Sequence, residues 1–256
     1  MDTARHPIAL AIEGGIAIAT LDRPPVNAID DAWVARLEAI VEEVQARDEV
    51  RVLWIRSAGR AFCAGADLAL MRERFASDEG RARMVDLTRA MQKVFARIER
   101  SPKVSLAEIR GPALGGGLEL ALACDIRLVA DGAKLGLPEA RLGLLPGAGG
   151  TQRLARICGD AVARRMILAA EVIDGARAVA WGVAQECVPA EQLEDAARAL
   201  AQRIAAVPAP ALAACKRCIT AAVDGNEDGF AAEVEGTTML YAQAETQALV
   251  RRFLAG

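Results

Sequence analysis

The sequence predicts an α/β fold with a parallel sheet, followed by a helical C-terminal region. Three observations carry that prediction. Short apolar runs alternate with stretches of helical spacing over roughly the first half of the chain. Small-residue, glycine-rich loops follow two of the apolar runs. From Asp160 onward the pattern is almost entirely helical, with one short β-like run at residues 184–188. The division falls after residue 189, giving a core over 1–189 and a helical region over 190–256.

Taken in order, residues 8–12 and 16–21 are apolar runs separated by Glu13-Gly14-Gly15, a β-hairpin signal. Asp22-Arg23-Pro24-Pro25 breaks the pattern, and Asn27 or Asp30 is placed to cap the next element. Trp33, Leu37, Ile40, Val41 and Val44 recur at helical spacing over residues 31–47. Residues 52–55 form a compact buried strand. A helical stripe of Met84, Leu87, Met91, Val94, Phe95 and Ile98 runs through residues 71–100, and residues 103–109 and 126–130 are further strands. Pro208 and Asp224-Gly225-Asn226 mark breaks between the late helices.

Two loops stand out for chemistry. Gly59-Arg60-Ala61-Phe62-Cys63-Ala64-Gly65-Ala66-Asp67-Leu68 is rich in small residues, and Asp67 or a neighbour is placed to start a helix. Gly115-Gly116-Gly117 leads straight into the apolar run 118–123, which carries a single carboxylate, Glu119. Glycines at a helix entry admit another group to the backbone, and the first amides of a helix have no partner of their own. Such a place suits an anion, or an oxygen that becomes one during a reaction; the plainer reading is a turn with close backbone packing. A third glycine-rich stretch, residues 144–154, opens another helix, but its spacing fits neither GxGxxG nor GxxxxGK[ST].

Composition narrows the chemistry. Net charge is −3, and the arginines of residues 72–100 are interleaved with acids, the pattern of a solvated helix face rather than a nucleic-acid comb. No apolar run is long enough to span a bilayer, and residues 1–10 lack a signal-peptide layout, so neither a nucleic-acid nor a membrane partner is expected and a cytoplasmic location is. Six scattered cysteines suggest reduced thiols. His6 is the only histidine, so the lone CxxC at Cys215 and Cys218 lacks further zinc ligands, and Ser-His or Cys-His catalysis is disfavoured. Carboxylates and backbone amides are left to act.

With these pieces in view the sequence resembles the crotonase superfamily, the enoyl-CoA hydratase/isomerase group. The resemblance runs from about Ile16 to about Val223. It rests on five ordered motifs: FCAGADL at residues 62–68, ALGGGLELA at 113–121, CDIR at 124–127, GLPE at 136–139 and LPGAGGTQR at 145–153. It implies a spiral of β-β-α repeats with C-terminal helices that trimerise, commonly as a dimer of trimers (a hexamer). It also implies an acyl-CoA thioester substrate, a place in fatty acid metabolism, and no cofactor beyond the coenzyme A of the substrate.

The resemblance carries roles to particular residues. The amides of Ala66 and Gly116 form the oxyanion hole. Glu119 orients and deprotonates water, and Glu139 delivers a proton to C2, the two-glutamate pattern of the hydratases. Cys63, Ala64, Gly65, Asp67, Leu68, Gly115 and Pro138 contact the substrate, with Arg23 and Arg60 as candidates for the CoA phosphates. The chain departs from the pattern at Ala69-Leu70-Met71, where many members carry a lysine. A trans-2-enoyl-CoA hydratase is the expected activity. Alternatives are an enoyl-CoA isomerase, a methylglutaconyl-CoA-type hydratase, and a non-catalytic acyl-CoA-binding or RNA-binding relative.

Overall fold

The computed structural model describes residues 6–225 and 227–255; Asp2 and Arg5 of the N-terminal stretch, Asn226 and Gly256 lie outside the described residues. The chain opens with the expected hairpin, β1 (Ile8–Glu13) antiparallel to β2 (Ile16–Leu21). Helix α1 (Asp31–Gln45) follows, capped by Asp30, whose side chain accepts from Trp33 N at 2.8 Å. Asn27, the other cap expected, is instead a buried latch. Its Nδ2 donates to Ala61 O (3.0 Å) and Phe62 O (2.9 Å), tying the start of the chain to the first small-residue loop.

Strand β3 (Val52–Ser57) leads through that loop into α2 (Leu68–Arg74) and α3 (Asp78–Glu99). The span 71–100 is therefore shared by two helices, and the whole expected stripe, Met84 to Ile98, lies on the second. Ser77 caps the second by accepting from Gly80 N at 3.0 Å. Then come β4 (Val104–Ile109), β5 (Ala113–Leu114), α4 (Gly116–Leu122), β6 (Ile126–Ala130), β7 (Leu135–Gly136) and a 3-10 turn (Pro138–Leu142). The remainder is α5 (Gly150–Cys158), α6 (Asp160–Leu168), β8 (Val172–Ile173), α7 (Gly175–Ala180), β9 (Glu186–Val188), α8 (Leu193–Ala205), α9 (Ala209–Asp224), α10 (Gly229–Tyr241) and α11 (Ala244–Ala255).

The main sheet has the order β1-β2-β3-β4-β6-β9, parallel throughout except for the hairpin. Its central strands are mostly buried because helices cover the sheet, and the polar residues they carry, among them Ser105, Glu108 and Arg127, are buried with them. A second sheet, β5-β7-β8, has rungs of only two residues, too short to register as strands in a sequence. Single bridges, Ile29 to Ala66 and Cys63 to Ala113, extend this second stack through the first loop. From β2 to β7 each turn of chain thus lays one long rung in the main sheet and one short rung in the second before a helix or turn, and the last turn lays them in the reverse order, β8 and then β9. This is the β-β-α spiral of the crotonase fold, with the expected helical region after it.

One apolar core runs through α1, α3 and the main sheet; Trp33, Leu37, Phe95, Ile98, Trp54 and Leu106 in it are all fully buried, and Arg198 of α8 lies over the Trp54 ring at 5.3 Å. Helix α8 packs against the same sheet through buried Leu193, Ala197 and Ala201. Lys216 of α9 reaches into the core, donating to Asp125 Oδ2 (2.7 Å) and Lys103 O (3.0 Å). Asp125 Oδ2 also accepts from Ser105 N at 2.7 Å, so one carboxylate joins the last long helices to the sheet. Among the described residues no single helix is long and apolar enough to cross a membrane.

Candidate active site

The C-terminal ends of β3 and β4 feed the two glycine-rich loops into the same place. Leu114 N donates to Cys63 O (3.0 Å), and Cys63 N donates to Pro112 O (3.0 Å), which fixes the loops edge to edge. The triple glycine is dictated by this approach. A Cβ on Gly117 would lie 2.0 Å from Cys63 O, a distance no side chain tolerates. Gly116 is the first residue of α4, so its amide has no carbonyl of its own helix to meet. On the other loop, Ile29 N donates to Gly65 O and Asp67 N donates to Ile29 O. In parallel pairing the residue between those two groups points its own N–H away from the neighbour, so the Ala66 amide faces the side on which α4 begins.

Both amides line a cavity of about 590 Å³. Glu119 and Glu139 line the same cavity. Glu119 lies in the first turn of α4 and is 2% exposed. Its Oε1 accepts from Ala148 N at 2.7 Å and from Gly150 N at 2.8 Å. Burial pushes its pKa up to about 7, with the nearby Glu139 adding to the rise, while the two amides and Arg153 pull the other way. Glu139 sits in the 3-10 turn, where Pro138 pre-sets the backbone. Its Oε1 would stand 2.9 Å from a Cβ on Gly115, so the carboxyl lies directly over the triple glycine. Its Oε2 is buried with no protein hydrogen-bond partner, and burial raises its pKa as well. Two carboxyl groups that resist ionisation therefore share one cavity with two free amides. That arrangement can hold a proton on one group, take a proton on the other, and stabilise an oxyanion between them.

Of the other residues expected at the site, Ala64, Gly65, Leu68, Gly115 and Pro138 line the cavity. Cys63 and Asp67 do not. Cys63 is fully buried; its Sγ donates to Asn27 O at 3.0 Å, and burial pushes the thiol up to about 12, which makes it inert. Asp67 caps α2, its Oδ1 accepting from Ala69 N (2.9 Å) and Leu70 N (3.1 Å). The Leu70 amide and Arg23 hold its carboxyl below the usual range. Arg23, a phosphate candidate, is bound to both Asp30 (2.7 Å) and Asp67 (3.1 Å); Arg60, the other, is exposed.

The cavity wall beyond the glutamates is apolar. Met71, Phe75, Met84, Met91, Leu142 and Leu145 dominate it. Arg81, which also touches it, is paired with Asp78 and donates to Phe75 O at 2.9 Å. The grip of Ala148 and Gly150 on Glu119 is not legible in the sequence as a pairing. The signal present there is a glycine-rich stretch opening a helix at residue 150, whose partner thirty residues earlier only the fold reveals. Among the described residues no group of three or more His, Cys, Asp or Glu is placed to hold a metal ion.

The spiral, and the way its two loops meet over paired glutamates, mark a crotonase-superfamily protein. The family model described as enoyl-CoA hydratase/isomerase matches residues 11–254, and the chain belongs to that family. It is similar to a Bacillus subtilis protein named "Probable enoyl-CoA hydratase", 41% identical over 178 residues, which are 70% of this chain and 67% of the relative. It is also similar to the short-chain-enoyl-CoA hydratase of Clostridium acetobutylicum, 36% identical over 181 residues, with 70% and 67% covered. Among solved structures, the enoyl-CoA hydratase from Bacillus anthracis superposes with a TM-score of 0.90 at 30% identity, covering 97% of this chain and 96% of that one.

Proposed function

We propose that this protein hydrates the C2=C3 double bond of a trans-2-enoyl-CoA to give the 3-hydroxyacyl-CoA. One observation carries the reading: Glu119 and Glu139, both with raised pKa, face a single cavity together with the amides of Ala66 and Gly116. The thioester oxygen sits between the two amides. As water attacks C3, charge gathers on that oxygen, and donors already in position stabilise the transition state more than the bound substrate. Ionised Glu119 takes a proton from the attacking water. Glu139, whose carboxyl burial shifts toward the protonated form, gives its proton to C2. The water's hydroxyl ends on C3 and the substrate gains one hydrogen on C2. The glutamate pair is left with its single proton on the other member, and exchange with solvent resets it.

A simple double-bond shift can be run with one carboxylate, whereas adding water needs a base and an acid, so the pair supports hydratase over isomerase. The apolar wall and the engaged Arg81 support an uncharged acyl chain over a carboxylated one of the methylglutaconyl type. No metal or cofactor beyond the substrate's coenzyme A is part of this mechanism, and we assign the reaction to the cytoplasm and to a homotrimer or dimer of trimers.

Crotonyl-CoA is the test substrate, followed through loss of the conjugated-thioester absorbance. Hydration is expected, and Glu119→Gln and Glu139→Gln should each lower kcat by roughly 10²-fold or more with little change in KM. Failure to hydrate short, medium-chain and branched enoyl-CoA alike would end the reading. A 3-enoyl-CoA converted to its 2-enoyl isomer by a chain that adds no water would replace it with isomerisation.

A further inference from the structure

Glu119 is held by a loop that is itself held from outside. Gln92 Nε2 donates to Gly147 O at 2.6 Å, and Arg153 Nη1 donates to Ala148 O at 2.9 Å. The Gly147 carbonyl shares its peptide with the Ala148 amide, so the Gln92 bond turns that N–H the opposite way, while Arg153 holds the next peptide, the one between the Ala148 and Gly150 amides that Glu119 Oε1 accepts. Arg153 is 6% exposed, an unusual position for an arginine, and its guanidinium is anchored twice on one carboxylate oxygen. Its Nε and Nη2 donate to Glu99 Oε2 at 3.0 and 2.9 Å. Glu99 Oε1 accepts from Arg156 at 2.9 Å, and Arg156 also pairs with Asp224, the last residue of α9. The backbone is shaped around the guanidinium. A Cβ on Gly149 (φ +109°) would lie 2.2 Å from Arg153 Nη1, so this glycine leaves room for the charge.

We propose that Arg153 is a positioning residue for the reaction: anchored on Glu99, it holds the peptide that links the two amides gripping Glu119 and brings a positive charge to that carboxyl. As a statement about catalysis this rests on the hydratase reading above. The charges acting on Glu119 are few. Glu139 faces it from the 3-10 turn and raises its pKa; Arg153 faces it from α5 and lowers it. Helix α3 brings Met91 to the neighbouring Gly116, and β5 is Ala113-Leu114, so neither supplies a charge there. Arginine suits the task because its planar fork can bind a carboxylate and a backbone carbonyl at once, which a lysine ammonium does less rigidly.

The test reads Glu119 directly. Protein labelled with carboxyl-¹³C glutamate is titrated by NMR, the Glu119 resonance being assigned by its loss in Glu119→Gln. The wild-type carboxyl is expected to titrate at about 7. Arg153→Lys and Arg153→Met should both raise that value, the second by about one pH unit or more, because the hold on the peptide between the two amides is lost and, in the second, an opposing charge as well. The acid limb of the kcat/KM profile should move to higher pH with it. Circular dichroism checks folding, and Arg153→Lys carries the test if Arg153→Met does not fold. An unmoved Glu119 titration in a folded variant overturns the proposal, whatever its melting temperature. A chain that hydrates no enoyl-CoA, yet whose Glu119 titration follows Arg153, keeps the clamp and defeats the hydratase reading alone.

Discussion

At the scale of single residues, Glu119 shows what a buried carboxyl costs and what it is for. Two backbone amides and a nearby arginine favour its ionised form, but burial outweighs them and its pKa rises to about 7 from the ordinary 4.5. The linkage has a definite sign. Below the ordinary value the group is protonated in folded and unfolded chains alike, and burial costs nothing. Above about 7 it must be ionised inside the fold, so stability is lost as pH rises through that range. The full penalty is about 3 kcal/mol, since each tenfold change in acidity corresponds to about 1.4 kcal/mol. Denaturant melts of wild type and Glu119→Gln at pH 5 and pH 9 should therefore differ. The wild type should lose up to about 3 kcal/mol relative to the variant on going to the higher pH, other groups cancelling in the comparison. A difference independent of pH would mean that Glu119 ionises freely. On the hydratase reading, the same burial poises Glu119 as a base near neutral pH.

At the scale of elements, α4 and the loop at residues 61–67 form a single working unit. Their backbones touch where Gly117 meets Cys63, and the amides of Gly116 and Ala66 flank that contact. Gly117→Ala forces a methyl group to within 2.0 Å of Cys63 O, and α4 must move away. The expected result is a loss of about 1–3 kcal/mol in stability, the usual range for overpacking. A fall in kcat for crotonyl-CoA larger than that of an equally destabilised core variant should accompany it, because the two amides separate. Equal falls would reduce Gly117 to packing alone. This unit is partly legible in the sequence. The glycines, the small-residue loop and the cap Asp67 stand out there, as does the buried helix after Gly116. The short rungs β5, β7 and β8 do not, since two residues carry no periodicity. The break between α2 and α3 is marked only by Ser77 ahead of Asp78 and Glu79, the cap that α3 uses.

At the scale of the whole molecule, the C-terminal helices are tied to the core by charge and leave apolar surface outside. Lys216 joins Asp125, Arg156 joins Asp224, and α10 packs on α9. Beyond these contacts Phe230 is 84% exposed and Phe253 86%, with Val234, Tyr241 and Leu254 also exposed. Surface of that kind is usually covered by another chain. Sedimentation of the purified protein should give a trimer or a dimer of trimers, and Phe230→Asp with Phe253→Asp should shift it toward the monomer. A monomeric wild type at micromolar concentration would refute the assembly.

The sequence by itself determined the parallel α/β core, the helical end and, through five ordered motifs, the family; its single histidine also pointed to carboxylates and backbone amides as candidates for the chemistry. Those properties are written in local pattern and composition, which need no knowledge of distant contacts. Only the tertiary structure decided that Glu119 and Glu139, twenty residues apart, share one cavity, and that Asn27 is a latch and not a cap. It likewise removed Cys63 and Asp67 from the cavity wall and put Arg153 behind the loop that grips Glu119. Each of these is a contact between groups brought together by the turn of the spiral, and neither hydrophobic period nor propensity encodes which turn lies over which.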